Sequence, residues 1–417
     1  MKLTSKERVM LALSHKEPDR VPIDLNGHRS SGISVQAYKK LREYLGLKVG
    51  DIYIYDVPQQ LAVVEDDILD IFDVDVVQQG TEFYKDSSYW KDWQMHDGSY
   101  VKIPKFIDIQ QTSEGDFEIL GDKGQQLCIQ KKDCLYFEQT YFPLEYNDFE
   151  EYGNVSSVIQ NIMWGKVATP PAPLSFEGED LVKRVDLAKK LRMSTERAIY
   201  GMFGGSLFEL GQQSYGMENF LCDLVAEPEK MHMYLDRLLE HHMKQLEVYM
   251  KHIGPYVDII GVSDDLGMQT GPQISEDMFC EFLKPRYKVM WSYIKKIKPE
   301  AKICMHCCGG VEPLVSHLTE AGLDGFNPVQ TNCVGMNPKH LKTKYGKEMF
   351  FWGGGCDTRD ILPKGTPDDV RRNVRENMRV FKSGGGFVFQ QIHNILADVP
   401  AENIVALLEA AKEYGRY

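Results

Sequence analysis

Short apolar runs recur along the chain, and most are separated by segments whose apolar residues are spaced as in an amphipathic helix. Eight runs are predicted to be strands: residues 20–26, 72–77, 198–203, 257–263, 302–306, 325–328, 349–352 and 386–390. Strands that alternate with helices form parallel β/α units. Eight such units close into a barrel whose functional residues lie on the loops after the strands. The pattern therefore predicts an α/β fold, a (β/α)8 TIM barrel.

Between about residues 80 and 143 the pattern changes to alternating aromatic and polar residues. Turn signals occur at residues 96–98, 114–116 and 121–124, each of which contains glycine, so hairpins are expected. The next stretch contains Thr169-Pro170-Pro171-Ala172-Pro173 and is predicted to be a loop that leads back into the barrel. We therefore expect one domain, residues 1–417, with a β-rich insertion at about 80–165.

Composition narrows the class of protein. The 417 residues carry a formal net charge of -13 without a run of Lys and Arg, which argues against nucleic acid as a partner. The charged N-terminus lacks the apolar core of a secretory signal, and no stretch of about 18 apolar residues suggests a membrane span. Three of nine cysteines crowd together at Cys304, Cys307 and Cys308. A cytoplasmic enzyme with a metal is expected, rather than a disulfide framework.

The strongest chemical signal is the strand end at residues 302–310, which runs into His306, Cys307, Cys308 and paired glycines. Side chains two apart in a strand share a face, so His306 and Cys308 are predicted to point at one ion while Cys307 faces away. Imidazole and thiolate are typical zinc ligands. The alternative is that the small cysteines pack a tight strand and His306 makes an ordinary hydrogen bond.

Zinc needs at least a third protein ligand, and two candidates lie at later strand ends. Cys356 follows the seventh predicted strand, and His393 follows the eighth. Either residue would complete the site. The competing interpretations are a small residue that fills a glycine-rich turn for Cys356, and a hydrogen-bonded loop histidine for His393.

Other polar residues also follow predicted strands. Asp264 and Asp265 end the fourth strand, where adjacent carboxylates are expected to be catalytic. The alternative is that one caps a loop while the other is solvated. His28 and Arg29 follow the first strand, and Arg29 suits an anionic substrate group or a surface salt bridge. No Walker-type loop and no Gly-x-Ser-x-Gly elbow occurs, so nucleotide hydrolysis and serine-esterase chemistry have no support.

Taken in order, these residues resemble the uroporphyrinogen decarboxylase superfamily, and more closely its branch of cobalamin-dependent methyltransferases, which includes methylcobamide:coenzyme M methyltransferases and O-demethylase components. The matching segments are Pro18-Asp19-Arg20-Val21-Pro22, Asp264-Asp265-Leu266-Gly267-Met268-Gln269, His306-Cys307-Cys308-Gly309, Asn327-Pro328-Val329-Gln330, Trp352-Gly353-Gly354, Gly365-Thr366-Pro367, and His393 with Pro400-Ala401-Glu402-Asn403-Ile404. They span most of the chain outside the insertion.

In that branch the zinc pattern is His-x-Cys followed much later by a cysteine. Counting back from residues 400–404 places His393 where the cysteine would stand, so the resemblance implies a zinc site of His306, Cys308 and His393, with Cys356 as the alternative third ligand. The substrate is expected to contact His28, Arg29, Asn327 and Gln330.

The resemblance implies a zinc-dependent methyltransferase of one-carbon metabolism, of the methanogenic or acetogenic type. The methyl group would move between a small O-, N- or S-methyl compound, or a thiol acceptor, and the cobalt of cobalamin on a separate corrinoid protein. One alternative is a metal-independent decarboxylase or lyase that uses Asp264 or Asp265 on a carboxylated substrate. That alternative is disfavoured because this chain has a single arginine, Arg29, where the decarboxylases carry a cluster of arginines. Another is a non-catalytic zinc- or corrinoid-binding accessory protein. The oligomeric state is left open.

Overall fold

The computed structural model describes residues 3–147, 149, 153–168 and 174–417, so the loop predicted at 169–173 lies outside the described residues. Seven parallel strands form one curled sheet in the order β7-β6-β5-β4-β3-β2-β1. They are β1 (Val76–Gln78), β2 (Ala198–Gly204), β3 (Ile259–Ser263), β4 (Lys302–His306), β5 (Gly325–Asn327), β6 (Phe350–Trp352) and β7 (Phe387–Val388). Each strand pairs with the next one in the chain, as in a TIM-like barrel.

The eighth position of the barrel is occupied by residues 22–24, between β7 and β1. The N–H of Phe389 donates to the carbonyl of Pro22 (2.8 Å), and the N–H of Asp75 donates to the carbonyl of Ile23 (2.8 Å). Pro22 has no N–H, and the N–H of Ile23 donates to the Asp75 carboxylate at 2.9 Å. The strand predicted at 20–26 is therefore reduced to a β-bridge between Ile23 and Phe389, although the predicted barrel is confirmed.

Helices connect the strands and surround the sheet. Their bounds are Ser5–Leu13, Val35–Tyr44, Asp66–Ile71, Thr81–Tyr84, Val155–Gln160, Met163–Lys166, Gly178–Ser194, Phe208–Tyr215, Met217–Ala226, Pro228–His252, Glu276–Met278, Lys284–Ile297, Val315–Ala321, Pro338–Tyr345, Ile361–Lys364, Pro367–Phe381 and Ala401–Tyr414. The first helix begins at a capping box in which Thr4 and Glu7 satisfy each other's backbone N–H groups.

The barrel interior is filled by side chains from alternate strand positions. Tyr200, Cys304 and Trp352 belong to one buried cluster inside the sheet, and Val9 and Leu13 of the first helix complete it. Because β-strand side chains alternate, the inward position of Cys304 places His306 on the same face at the strand's carboxyl end.

The predicted β-rich insertion is present as antiparallel strands between β1 and β2. One hairpin pairs Trp90–Gln94 with Tyr100–Pro104, and a four-stranded sheet contains Gln110–Gln111, Phe117–Leu120, Gln126–Gln130 and Glu138–Gln139. Further short pairs are Ile54–Asp56 with Leu61–Ala62, and Gly267–Met268 with Gly271–Pro272. The limits of the insertion at 80–165 stay a prediction. Among the described helices, none is long and apolar enough to cross a membrane.

Candidate functional site

His306 and Cys308 stand together at the carboxyl end of β4. The His306 Nε2 atom lies 3.5 Å from the Cys308 Sγ atom. Cys307 faces the other way, where its sulfur accepts the N–H of Leu266 at 3.4 Å in the hydrophobic core. The two-residue spacing therefore places the imidazole and one thiol on the face of the strand that leads to the barrel mouth.

His393, after β7, completes a group of three. One potential ligand atom each from His306, Cys308 and His393 lies within 4.8 Å of the others, and this is the one such group found among the described residues. Cys356 is not part of it. Its side chain is buried in the core, with its sulfur 3.8 Å from the carbonyl of Asp357. Of the two candidates for a third ligand, the fold brings His393 to the pair.

The electrostatics of the group suit a cation. Burial lowers the pKa of His393 to about 4, and nearby His306 adds to this, so the imidazole is neutral at pH 7 with a lone pair available. Burial raises the pKa of the Cys308 thiol well above its usual value, and the carboxylate of Asp265 adds to the rise. A thiolate at Cys308 therefore needs a positive charge beside it, which a metal ion would provide.

Asn327, at the end of β5, fixes which nitrogen of His306 carries the proton. The Asn327 Nδ2 atom donates to the carbonyl of Trp352 at 2.9 Å, and this defines the orientation of the amide. Its Oδ1 atom therefore lies 2.9 Å from His306 Nδ1, which must donate. The lone pair of His306 is left on Nε2, the atom that faces Cys308.

Further buried polar groups support Asn327. Gln390 accepts from Asn327 Nδ2 at 2.8 Å and lies 3.0 Å from His28 Nε2, while its own amide donates to the Ser30 carbonyl. His28 stacks on Tyr200 at 4.8 Å between ring centres, and burial lowers its pKa to about 3. Two residues expected to contact substrate, His28 and Asn327, thus lie buried beneath the site with hydrogen-bonding partners.

The adjacent aspartates have different surroundings. Asp264 is buried and accepts the N–H groups of residues 207–209 (2.6, 2.8 and 2.6 Å) and the hydroxyl of Tyr287 (2.6 Å). Burial raises its pKa above the usual value, and these four donors limit the rise. Asp264 therefore holds the start of the helix Phe208–Tyr215. Asp265 accepts the N–H of Cys308 at 2.7 Å and, with a third of its side chain exposed, faces the site.

The other predicted substrate contacts lie near the mouth. Arg29 forms an ion pair with the buried carboxylate of Asp56 at 2.5 Å and lies over the ring of Trp164 at 4.6 Å. About a third of the Arg29 side chain stays exposed. The Gln330 side chain accepts the backbone N–H of Gly309. The salt bridge considered for Arg29 is present, but its partner is buried rather than on the surface.

Glu209 is a further carboxyl group of the site, and the sequence pattern does not single it out. Its carboxyl group accepts the N–H of Asp265, and burial, followed by the charges of Asp265 and Asp264, raises its pKa well above the usual value. The available signal in the sequence is its position five residues after the end of β2, on the side of the barrel where functional residues are expected. The site therefore contains a third carboxyl group beside the two aspartates.

The family model for uroporphyrinogen decarboxylase (URO-D) matches residues 192–414, more than half of the chain. A uroporphyrinogen decarboxylase of Synechocystis is 23% identical over 190 residues, which cover 45% of this chain and 49% of that protein. A methylated-thiol–coenzyme M methyltransferase of Methanosarcina mazei is 24% identical over 203 residues, or 48% of each chain. The chain thus spans about half the length of these relatives.

A solved structure, described as a methyltransferase from Methanosarcina mazei, matches the fold over nearly the whole length. It has a TM-score of 0.60 at 17% sequence identity and covers 99% of both chains. At this identity the match supports the barrel fold with its insertion.

Proposed function

The chain belongs to the uroporphyrinogen decarboxylase family, and from that premise we propose that it is a zinc-dependent corrinoid methyltransferase. The methyl group is transferred between a small methylated compound, or a thiol, and the cobalt of a separate corrinoid protein that docks at the barrel mouth. The observation that carries this proposal is the grouping of His306, Cys308 and His393, since a decarboxylase that works without metal has no use for it.

The donor set fits zinc. Bond lengths of about 2.0–2.1 Å to nitrogen and 2.3 Å to sulfur give an N···S separation of about 3.5 Å in a tetrahedral site. The distance between His306 Nε2 and Cys308 Sγ is 3.5 Å. Three protein ligands leave the fourth position for a substrate atom, as in catalytic zinc sites. Bound zinc supplies Lewis acidity, which stabilises a thiolate or polarises the oxygen of an ether.

Asp265 is proposed to handle the proton of the site. Its Oδ1 atom lies 3.6 Å from His306 Nε2 and accepts the backbone N–H of Cys308. A carboxylate in this place takes the proton that leaves the Cys308 sulfur when the thiolate forms. Asp264 acts indirectly, because its carboxylate accepts three backbone N–H groups at the start of the helix that carries Glu209.

Of the four residues predicted to bind substrate, we propose direct contact for Arg29, whose guanidinium is partly exposed. Gln330 is proposed to shape the loop that begins at Gly309, since its side chain accepts that N–H group. His28 and Asn327 are proposed to orient His306 from below rather than to touch substrate.

Two measurements test the proposal. Purified protein is expected to hold stoichiometric zinc, and the double variant His306→Ala, Cys308→Ala is expected to lose it. A screen of methylated compounds and thiols against cob(I)alamin and methylcobalamin, with and without zinc, should then detect transfer that depends on the metal. A zinc-free protein with full methyl-transfer activity contradicts the proposal. Release of carbon dioxide from a carboxylated substrate after chelation would favour the decarboxylase alternative.

A further inference from the structure

Outside the barrel mouth, a second cluster joins a cysteine, a histidine and a carboxylate. The Cys280 Sγ atom lies 3.5 Å from His317 Nδ1, and His317 Nε2 lies 3.2 Å from the Glu276 carboxylate. Lys284 places its ammonium 3.2 Å from the same Nδ1 atom and is also paired with Glu320. These groups come from two neighbouring helical segments, residues 276–297 and Val315–Ala321.

The partners of His317 determine its tautomer. A carboxylate only accepts, so His317 Nε2 carries a proton and donates it to Glu276. The Nδ1 atom therefore carries the lone pair, and both the Lys284 ammonium (3.2 Å) and the Cys280 thiol (3.5 Å) are within reach of it. A nucleophile beside a base that is oriented by a third group is the arrangement of an activated thiol.

Local structure keeps the thiol accessible. Cys280 lies in a single π-helical stretch, Phe279–Leu283, which interrupts the helix between Met278 and Lys284. Its side chain is partly exposed, as is the ring of His317. The cluster contains none of the residues of the barrel-mouth site.

We propose that Cys280 is a site of reversible thiol–disulfide exchange with low-molecular-weight disulfides. His317 Nδ1 takes the thiol proton, and the Cys280 thiolate attacks one sulfur of the disulfide. A bond forms between Cys280 and that sulfur, the original S–S bond breaks, and the released thiolate takes the proton from His317. The incoming disulfide is the oxidant, and an added thiol reverses the reaction. This proposal is independent of the metal site.

The chain provides its own controls. Cys134 and Cys222 are more exposed than Cys280 and lack a partner of this kind in the described part of the chain. Native protein is incubated with oxidised glutathione at neutral pH, and the mixed disulfides are quantified by intact mass and peptide mapping. Cys280 is expected to react about tenfold faster than Cys134 or Cys222, because a positioned base accelerates thiolate formation. Dithiothreitol should remove the adduct.

Two variants distinguish the effect of His317 on the reactivity of Cys280 from the effect of solvent exposure. His317→Gln is expected to slow Cys280 to the rate of Cys222, and Cys280→Ser is expected to abolish the fast adduct, with melting temperatures measured alongside. The proposal is overturned if Cys134 or Cys222 reacts as fast as Cys280 in the native protein, a comparison that needs no variant. It is also overturned if folded His317→Gln protein retains the native rate at Cys280.

Discussion

Asn327 is predicted to control how tightly the site holds zinc. Its buried side chain takes part in hydrogen bonds with His306, Ser30, Trp352 and Gln390. Leucine is close to asparagine in size but has no donor or acceptor. Replacing Asn327 with leucine therefore removes the acceptor of the His306 Nδ1 proton, and the Nε2 lone pair is no longer held in one direction.

The size of the effect follows from these contacts. Loss of the outer partner of a metal-binding imidazole weakens metal binding about 10–100-fold, which corresponds to about 1.4–2.7 kcal/mol. The substitution also leaves the carbonyl of Trp352 and the amide oxygen of Gln390 without the Asn327 donor. Each buried group without a partner costs about 1–3 kcal/mol of folding free energy. Metal affinity must therefore be compared on protein shown to be folded.

The assay is competition for zinc against a chromophoric chelator at pH 7, with circular dichroism to verify folding. Asn332→Leu is the matched control, since Asn332 is exposed and its side chain makes two long contacts, with Asp357 at 3.4 Å and with the Cys333 sulfur at 4.0 Å. The control should bind zinc like the native protein. Folded Asn327→Leu protein with an affinity within about twofold of native would refute the orienting role, since loss of such a partner typically costs far more.

Three further predictions concern other positions. Elemental analysis should find zinc in His393→Cys, because thiolate is also a zinc ligand, and in Cys356→Ser, but not in His393→Ala. Loss of zinc in Cys356→Ser would reverse the ligand assignment. Asp264→Asn should lower the free energy of unfolding in urea by about 2–4 kcal/mol, because the carboxylate accepts four donors, and an unchanged value would contradict this. Burial lowers the pKa of His242 from 6.5 to about 4, so the unfolded chain binds the proton more tightly than the folded protein does. The free energy of unfolding should therefore fall by up to about 3 kcal/mol as the pH drops from 6.5 to 4. Urea unfolding at each pH measures this decrease, which should be smaller in His242→Gln.

The barrel strands and the pairing of His306 with Cys308 were predictable because both depend on local periodicity. Apolar runs mark buried parallel strands, and a spacing of two places side chains on one face. The strand 20–26 was overestimated because Pro22 interrupts the ladder and Asp75 replaces a backbone acceptor. The sequence near residues 20–26 does not indicate that a side chain 52 residues away accepts the N–H of Ile23 in place of a backbone carbonyl.

The rest of the site depends on contacts between distant segments. Asp264 and Asp265 are adjacent and chemically identical, and only the helix that begins at residue 208 distinguishes the buried one from the exposed one. Asn327 looks like a polar residue at a strand end, where substrate binding is the usual expectation. Its orienting geometry requires the carbonyl of Trp352, 25 residues away. Glu209 likewise approaches the aspartates only through tertiary folding.

The contact between β1 and residues 22–24, which closes the barrel, is where we expect local unfolding of the barrel wall to begin. Between β1 and residues 22–24 the wall is joined by one backbone bond, from the N–H of Asp75 to the carbonyl of Ile23, and by the carboxylate of Asp75. That carboxylate accepts the N–H of Ile23 and also binds Arg8 at 2.8 Å and Arg20 at 2.6 Å. The seven strands of the sheet are joined to one another by backbone hydrogen bonds. This seam therefore depends on one buried charge and two guanidinium groups, and removal of Asp75 would release the first helix, the closing segment and the sheet edge together. In hydrogen exchange, the amide of Ile23 should report the opening of the whole barrel.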